Sequence, residues 1–158
     1  MTAKDYFENL ATEHSMVLHR DTEPHFACSM EDAATLMARR LYYPAIFLDE
    51  GNLQITGNDG NELLQRDYAL AIVSHVTDAV NEKEIHLAFD TTETIMTDII
   101  ARMVRDKSLG NQPVSRFTPI GCEAHRVELT DAGLYGWMLF FSLTSRLSTL
   151  NCNEHFNS

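Results

Sequence analysis

Positive charge is scarce in this chain. Lys and Arg number 12 against 23 Asp and Glu, for a formal net charge of −11. Neutralising phosphates takes Lys and Arg, so this balance argues against generic binding to nucleic acid or anionic membranes. An excess of acid also keeps a protein soluble, which is the plainer reading of it. Long hydrophobic runs are missing too. No stretch reaches the 18 or more apolar residues of a membrane helix, and Met1–Leu10 is charged and amphipathic, without a secretory h-region. The three cysteines, Cys28, Cys122 and Cys152, are odd in number and widely spaced. They imply no disulfide framework, and a reducing compartment is the natural home. Gly-x-Ser-x-Gly, a Walker loop, a dinucleotide-binding Gly-rich turn and His-Glu-x-x-His are all absent.

What is present is an ordinary globular composition. Hydrophobic residues make up 44% of 158 residues, enough for one domain with a real core and no metal or disulfide staple. The organising stretch is Lys83–Asp106. Ile85, Phe89, Thr92, Met96, Ile99, Met103 and Val104 recur at helical spacing as a stripe broad enough to cover a sheet. Acids gather in its first turns and bases in its last, as the helix dipole favours.

Two shorter helices are expected upstream. Phe7, Leu10, Ala11 and His14 place one over Ala3–His14, and Pro24 breaks the pattern after it. Ser29 with Asp32 resembles a weak capping box, and Met30, Ala33, Ala34, Met37, Ala38 and Leu41 predict a second helix over Met30–Leu41. Pro44–Asp49 reads as a strand, Glu50-Gly-Asn as a turn, and Leu53-Gln-Ile-Thr as the start of another strand. Gly57-Asn-Asp-Gly-Asn61 is the strongest turn signal in the chain and predicts a protruding hairpin loop.

Tyr68–Val76 follows, apolar on both faces, so it is expected at the centre of a sheet or covered by a partner. Glu123–Leu129 and Leu134–Leu143 are the remaining strands. In the latter, Tyr135, Trp137, Leu139 and Phe141 share one face and Met138 and Phe140 the other. The expected architecture is α+β: a mostly antiparallel mixed sheet, the long helix across one face, and two N-terminal helices. The expected domain is single, with an N-terminal helical part at 1–41, sheet and long helix at 42–145, and a polar tail at 146–158.

Metal chemistry has one candidate pattern, Cys-x-x-His, at Cys122/His125 and Cys152/His155. Two such pairs could form a Cys2His2 zinc site. An offset of three along a strand sends Cys122 and His125 to opposite faces, however, and no metal or other cofactor is expected. His14, His19, His25 and Cys28 crowd the N-terminal region at spacings of no usual site, and His14 reads as a partly buried, satisfied ring. No local signature marks a Cys–His nucleophile pair. Asp49-Glu50 and Asp78 with Glu82 read as solvated carboxylates at element ends. Tyr42 and Tyr43, the loop residues Asn58 and Asp59, and Trp137 are the candidate interface residues, with the core as the alternative place for Trp137.

The order of elements, the helix ending Asp98-Ile-Ile-Ala-Arg-Met-Val-Arg-Asp106 and the strand Leu134-Tyr-Gly-Trp-Met-Leu-Phe-Phe-Ser-Leu143 resemble the small tail-terminator or tail-completion proteins of tailed bacteriophages. The resemblance covers roughly Pro44–Cys152 and is one of pattern, and the N-terminal helices have no match in it. It implies a mixed sheet flanked by helices, assembly as a homo-oligomeric ring among neighbouring virion proteins, no catalytic residues, and a place in the virion or the host cytoplasm. A ligand-binding protein or minor enzyme with a pocket between helix and sheet is the competing expectation. A small adaptor or immunity-type protein using its acidity against a basic partner is a third.

Overall fold

The computed structural model describes residues 1–28 and 41–147. Its elements in chain order are α1 (Ala3–Glu13), β1 (Phe26–Cys28), β2 (Ala45–Asn58), β3 (Asn61–His75), α2 (Glu82–Ser108), β4 (Glu123–Leu129) and β5 (Leu134–Arg146). The fold is α+β. The five strands lie in the order β1-β2-β3-β5-β4, parallel between β1 and β2 and antiparallel elsewhere.

α1 starts at a reciprocal cap. The Thr2 hydroxyl accepts from the Asp5 N–H (3.1 Å), and the Asp5 carboxylate accepts from the Thr2 N–H (3.2 Å). α2 starts at Asn81, whose side-chain oxygen accepts from the Glu84 N–H. Glu82 and Glu84 lie in its first turn and Arg105 and Lys107 in its last.

Both helices pack on one face of the sheet. Phe7, Leu10 and Ala11 of α1 and Ile95, Met96, Ile99 and Met103 of α2 share a core with Ile46, Leu48, Tyr68, Leu70, Ile72, Leu139, Phe141 and Leu143. Each Leu, Ile, Met or Phe side chain so withdrawn from water contributes about 1.5–3 kcal/mol. In α2, Ile95 is fully buried whereas Val104 is exposed, so the buried stripe runs through Ile95 instead of Val104. The same stripe carries Asp106 inward, one turn beyond Met103. The opposite face of the sheet has a smaller core of Leu41, Ala45, Val73 and Leu134, with Tyr43, Phe47 and Val127 against it.

Three expectations are corrected. Glu50-Gly-Asn does not turn the chain: β2 runs unbroken from Ala45 to Asn58, and a register shift between Glu50 and Leu53 absorbs those residues as a bulge. Leu53-Gln-Ile-Thr is therefore the far half of the same strand. Phe26–Cys28, inside the stretch expected to be helical, forms a parallel edge strand on β2. The first helix ends at Glu13, with His14 as its extended C-cap. The helix expected over Met30–Leu41 lies outside the described residues except for Leu41, which is coil.

Candidate interface

The sheet has two unlike halves. Near the helices it is five strands wide. β1 pairs only with Ile46–Leu48 of β2, and β4 pairs only with Leu134–Phe140 of β5. Beyond those residues the sheet narrows to a three-stranded arm: Leu53–Asn58 of β2, Asn61–Arg66 of β3 and Leu143–Arg146 of β5. The arm ends in the hairpin that the Gly-Asn-Asp-Gly signal predicts. Gly57 (φ 94°) and Gly60 (φ 81°) take the left-handed backbone the turn requires. The Glu62 carboxylate accepts from the Gly60 N–H (2.9 Å), a bond that holds its carboxyl below the usual range.

Alternation continues into the arm, but no described helix lies above it. Leu53 pairs across with Arg66 and Ile55 with Leu64, on the face that buries Tyr68 and Leu70 lower down. Leu70 is 0% exposed, whereas Leu53 is 49% and Ile55 68% exposed. Both margins of the arm are open among the described residues. β2 has no strand beside it beyond Leu48 except β3, and β5 none beyond Phe140 except β3. A cleft of about 500 Å³ runs along the free margin of β5, lined by Gln65, Asp67, Arg116, Ile120, Cys122 and Thr144, among others.

The residues picked from sequence occupy four separate places. Asn58 and Asp59 are exposed at the hairpin tip. Tyr42 is exposed beside His25 (ring centroids 5.8 Å apart). Tyr43 packs on the opposite sheet face with its ring 5.7 Å from His75, and burial pushes its phenol up. Trp137 is held between sheet and α2: its Nε1 donates to the Phe89 carbonyl (3.2 Å), and Arg126 lies over both the Phe89 and Trp137 rings. The two residues that most distinguish the arm, Leu53 and Ile55, were not picked. Their signal was an apolar alternation running straight into a hairpin turn.

Polar chemistry concentrates where α1 meets α2. The Tyr6 hydroxyl donates to Asp106 (2.8 Å), and Arg102 bonds both Asp106 (3.1 Å) and Glu13 (3.1 Å). Asp106 is buried, and its carboxylate is satisfied by these two donors. Burial, then the bond to Asp106, pushes the Tyr6 phenol well up. His14 pairs with Asp98 (3.0 Å) and His19 with Glu8 (3.4 Å). In each case the ring's Nδ1 accepts a backbone N–H, from Met16 and His25 respectively. These contacts fasten the end of α1 to α2 and the loop after α1 back onto α1.

Cys122 lies just ahead of β4 and packs towards the helix-side core, its thiol donating to the Thr118 carbonyl and pushed up by burial. His125 rests on Phe140 on the other face and pairs with Glu123. Cys152 and His155 lie outside the described residues. No group of three or more His, Cys, Asp or Glu that could hold a metal occurs among the described residues, and no described helix is long and apolar enough to cross a membrane. Comparisons with protein-family models, with curated proteins and with solved structures give no match.

Proposed function

We propose that this protein is a non-enzymatic structural component that works by associating with copies of itself in a closed ring, in the manner of phage tail-terminator proteins, and by touching neighbouring virion proteins in the virion or the host cytoplasm. The observation that carries the reading is the arm. Three strands continue past the body with apolar residues exposed and, among the described residues, with both margins unpaired. Open strand edges are templates for pairing with another chain. Head-to-tail contacts whose rotation closes give a ring. The net charge of −11 supports a role in contact with proteins and without a grip on DNA, because counterion release has few bases to draw on.

Light scattering at micromolar concentration tests this reading, together with a gel-shift titration in moderate salt. The expected results are an oligomer, alone or with a neighbouring tail protein, and no duplex retention. A strict monomer that binds no virion protein, or tight salt-sensitive DNA binding, would overturn it.

A further inference from the structure

We infer that the open margin of β5 in one copy takes up the segment 148–158 of a second copy as an added strand. This inference rests on the self-association reading and names what joins the copies. Three observations support it.

The first is the margin itself. β4 covers β5 only as far as Phe140. From Phe141 to Arg146 the outer side of β5 is open among the described residues, which offers about 20 Å of edge at about 3.4 Å per residue. An unpaired edge is a template for another strand. The cleft of about 500 Å³ lies there, lined by Ser142 and Thr144 of β5 and by Arg116, Thr118 and Ile120 of the segment before β4. It leaves room for a strand about 4.8 Å from β5.

The second is the pattern of the segment, which lies outside the described residues. Leu150, Cys152 and Phe156 alternate with Asn151, Asn153, His155 and Asn157. That is the period of a strand with one apolar face, interrupted only by Glu154. Set antiparallel to β5 with Phe156 level with Phe141, the segment brings Cys152 level with Ser145. Its apolar positions then fall on the face that holds Phe141 and Leu143, two buried members of the helix-side core. Glu154 falls level with Leu143 and so in one row with Arg66, its opposite in charge.

The third decides which copy supplies the strand. The described hairpins turn on glycines in left-handed backbone, Gly57 and Gly60 between β2 and β3 and Gly133 between β4 and β5. Leu147-Ser-Thr-Leu150 would have to turn for the segment to fold back on its own β5, and it contains no Gly, Asn or Asp. A strand donated by a second copy needs no such turn. Each copy has one margin to fill and one segment to give, so donation runs head to tail, the kind of contact that closes into a ring.

Disulfide trapping on the full chain tests the donation, with Ser145→Cys in a Cys122→Ser background. Position 145 is exposed, and opposed residues of an antiparallel pair stand about 4.5–5.5 Å apart at Cα, within disulfide reach. Oxidised glutathione should link Cys152 of one copy to the thiol introduced in the next. The expected result is a covalent ladder on a non-reducing gel, collapsed by reductant and lost when Cys152→Ser is added. In sedimentation velocity, the chain without residues 148–158 should associate at least ~10-fold more weakly than the parent, with an unchanged thermal midpoint as the check on folding. A link closed within single chains, no link at all, or parental assembly by the shortened chain overturns the donation while leaving self-association standing. A parent chain that is itself monomeric at every concentration overturns both together.

Discussion

β3 is one strand in two environments. From Tyr68 to Ser74 it lies under α2, between strands on both sides, and its even-numbered residues Tyr68, Leu70 and Ile72 are buried. From Leu63 to Arg66 it keeps the same two neighbours and the same alternation, yet none of its residues is buried. Pairing is equal in the two halves, so pairing does not decide burial. A second layer decides it, and among the described residues the arm has none. Burial under a helix layer is what the described body has and the described arm lacks.

Changes in the body should be felt as stability and changes in the arm as association. The largest expected effect is in the body. Phe7 is 1% exposed and packs 5.5 Å from Phe141, centroid to centroid. Phe7→Ala should cost about 3–5 kcal/mol, read from chemical denaturation. Gly136→Ala comes next. A Cβ there would meet the Ile72 carbonyl oxygen on the neighbouring strand, and forcing β3 and β5 apart should cost about 1–3 kcal/mol or more.

Asp106→Ala removes the acceptor of a buried phenol and should cost about 1–3 kcal/mol. The pH dependence has a definite sign. The folded Tyr6 phenol ionises above its ordinary value of 10.0, so its contribution is complete below that pH and is lost as pH rises beyond it. Tyr6→Phe should flatten the alkaline fall in denaturation midpoint. It should leave the share of Tyr43 and Tyr68, whose phenols burial also pushes up.

The smallest effect on stability belongs to the arm. Ile55→Ser, at a site 68% exposed, should change unfolding free energy by less than about 0.5 kcal/mol while weakening self-association in sedimentation. A large loss of stability with association intact would erase the distinction between arm and body.

Much of the body was legible because periodicity is strong where one face is buried. The stripe through Phe89, Thr92, Met96 and Ile99 marked α2 within a residue or two, and Glu123–Leu129 is β4 residue for residue. Elements held by tertiary context were not legible. Phe26–Cys28 is a strand only because Ile46–Leu48 lies beside it. Glu50-Gly-Asn carries turn chemistry, yet β3 on the other side of the bulge keeps the strand straight. Trp137 could be read as anchor or core, and only the Phe89 carbonyl and the Arg126 guanidinium beside it fix its place. The arm was visible as a hairpin signal at Gly57–Asn61. That its apolar residues have no covering layer among the described residues was not visible, because a sequence shows alternation and not what stands above it.

The most direct test of the division between a finished body and an unfinished arm is amide hydrogen exchange at two protein concentrations, above and below the association midpoint. The account predicts that amides on the free margins, Leu53–Asn58 of β2 and Phe141–Arg146 of β5, gain protection with concentration, while those of Leu70, Ile72 and Ile95 stay equally protected at both. Equal protection of the arm at both concentrations, or gains confined to the body, would contradict it.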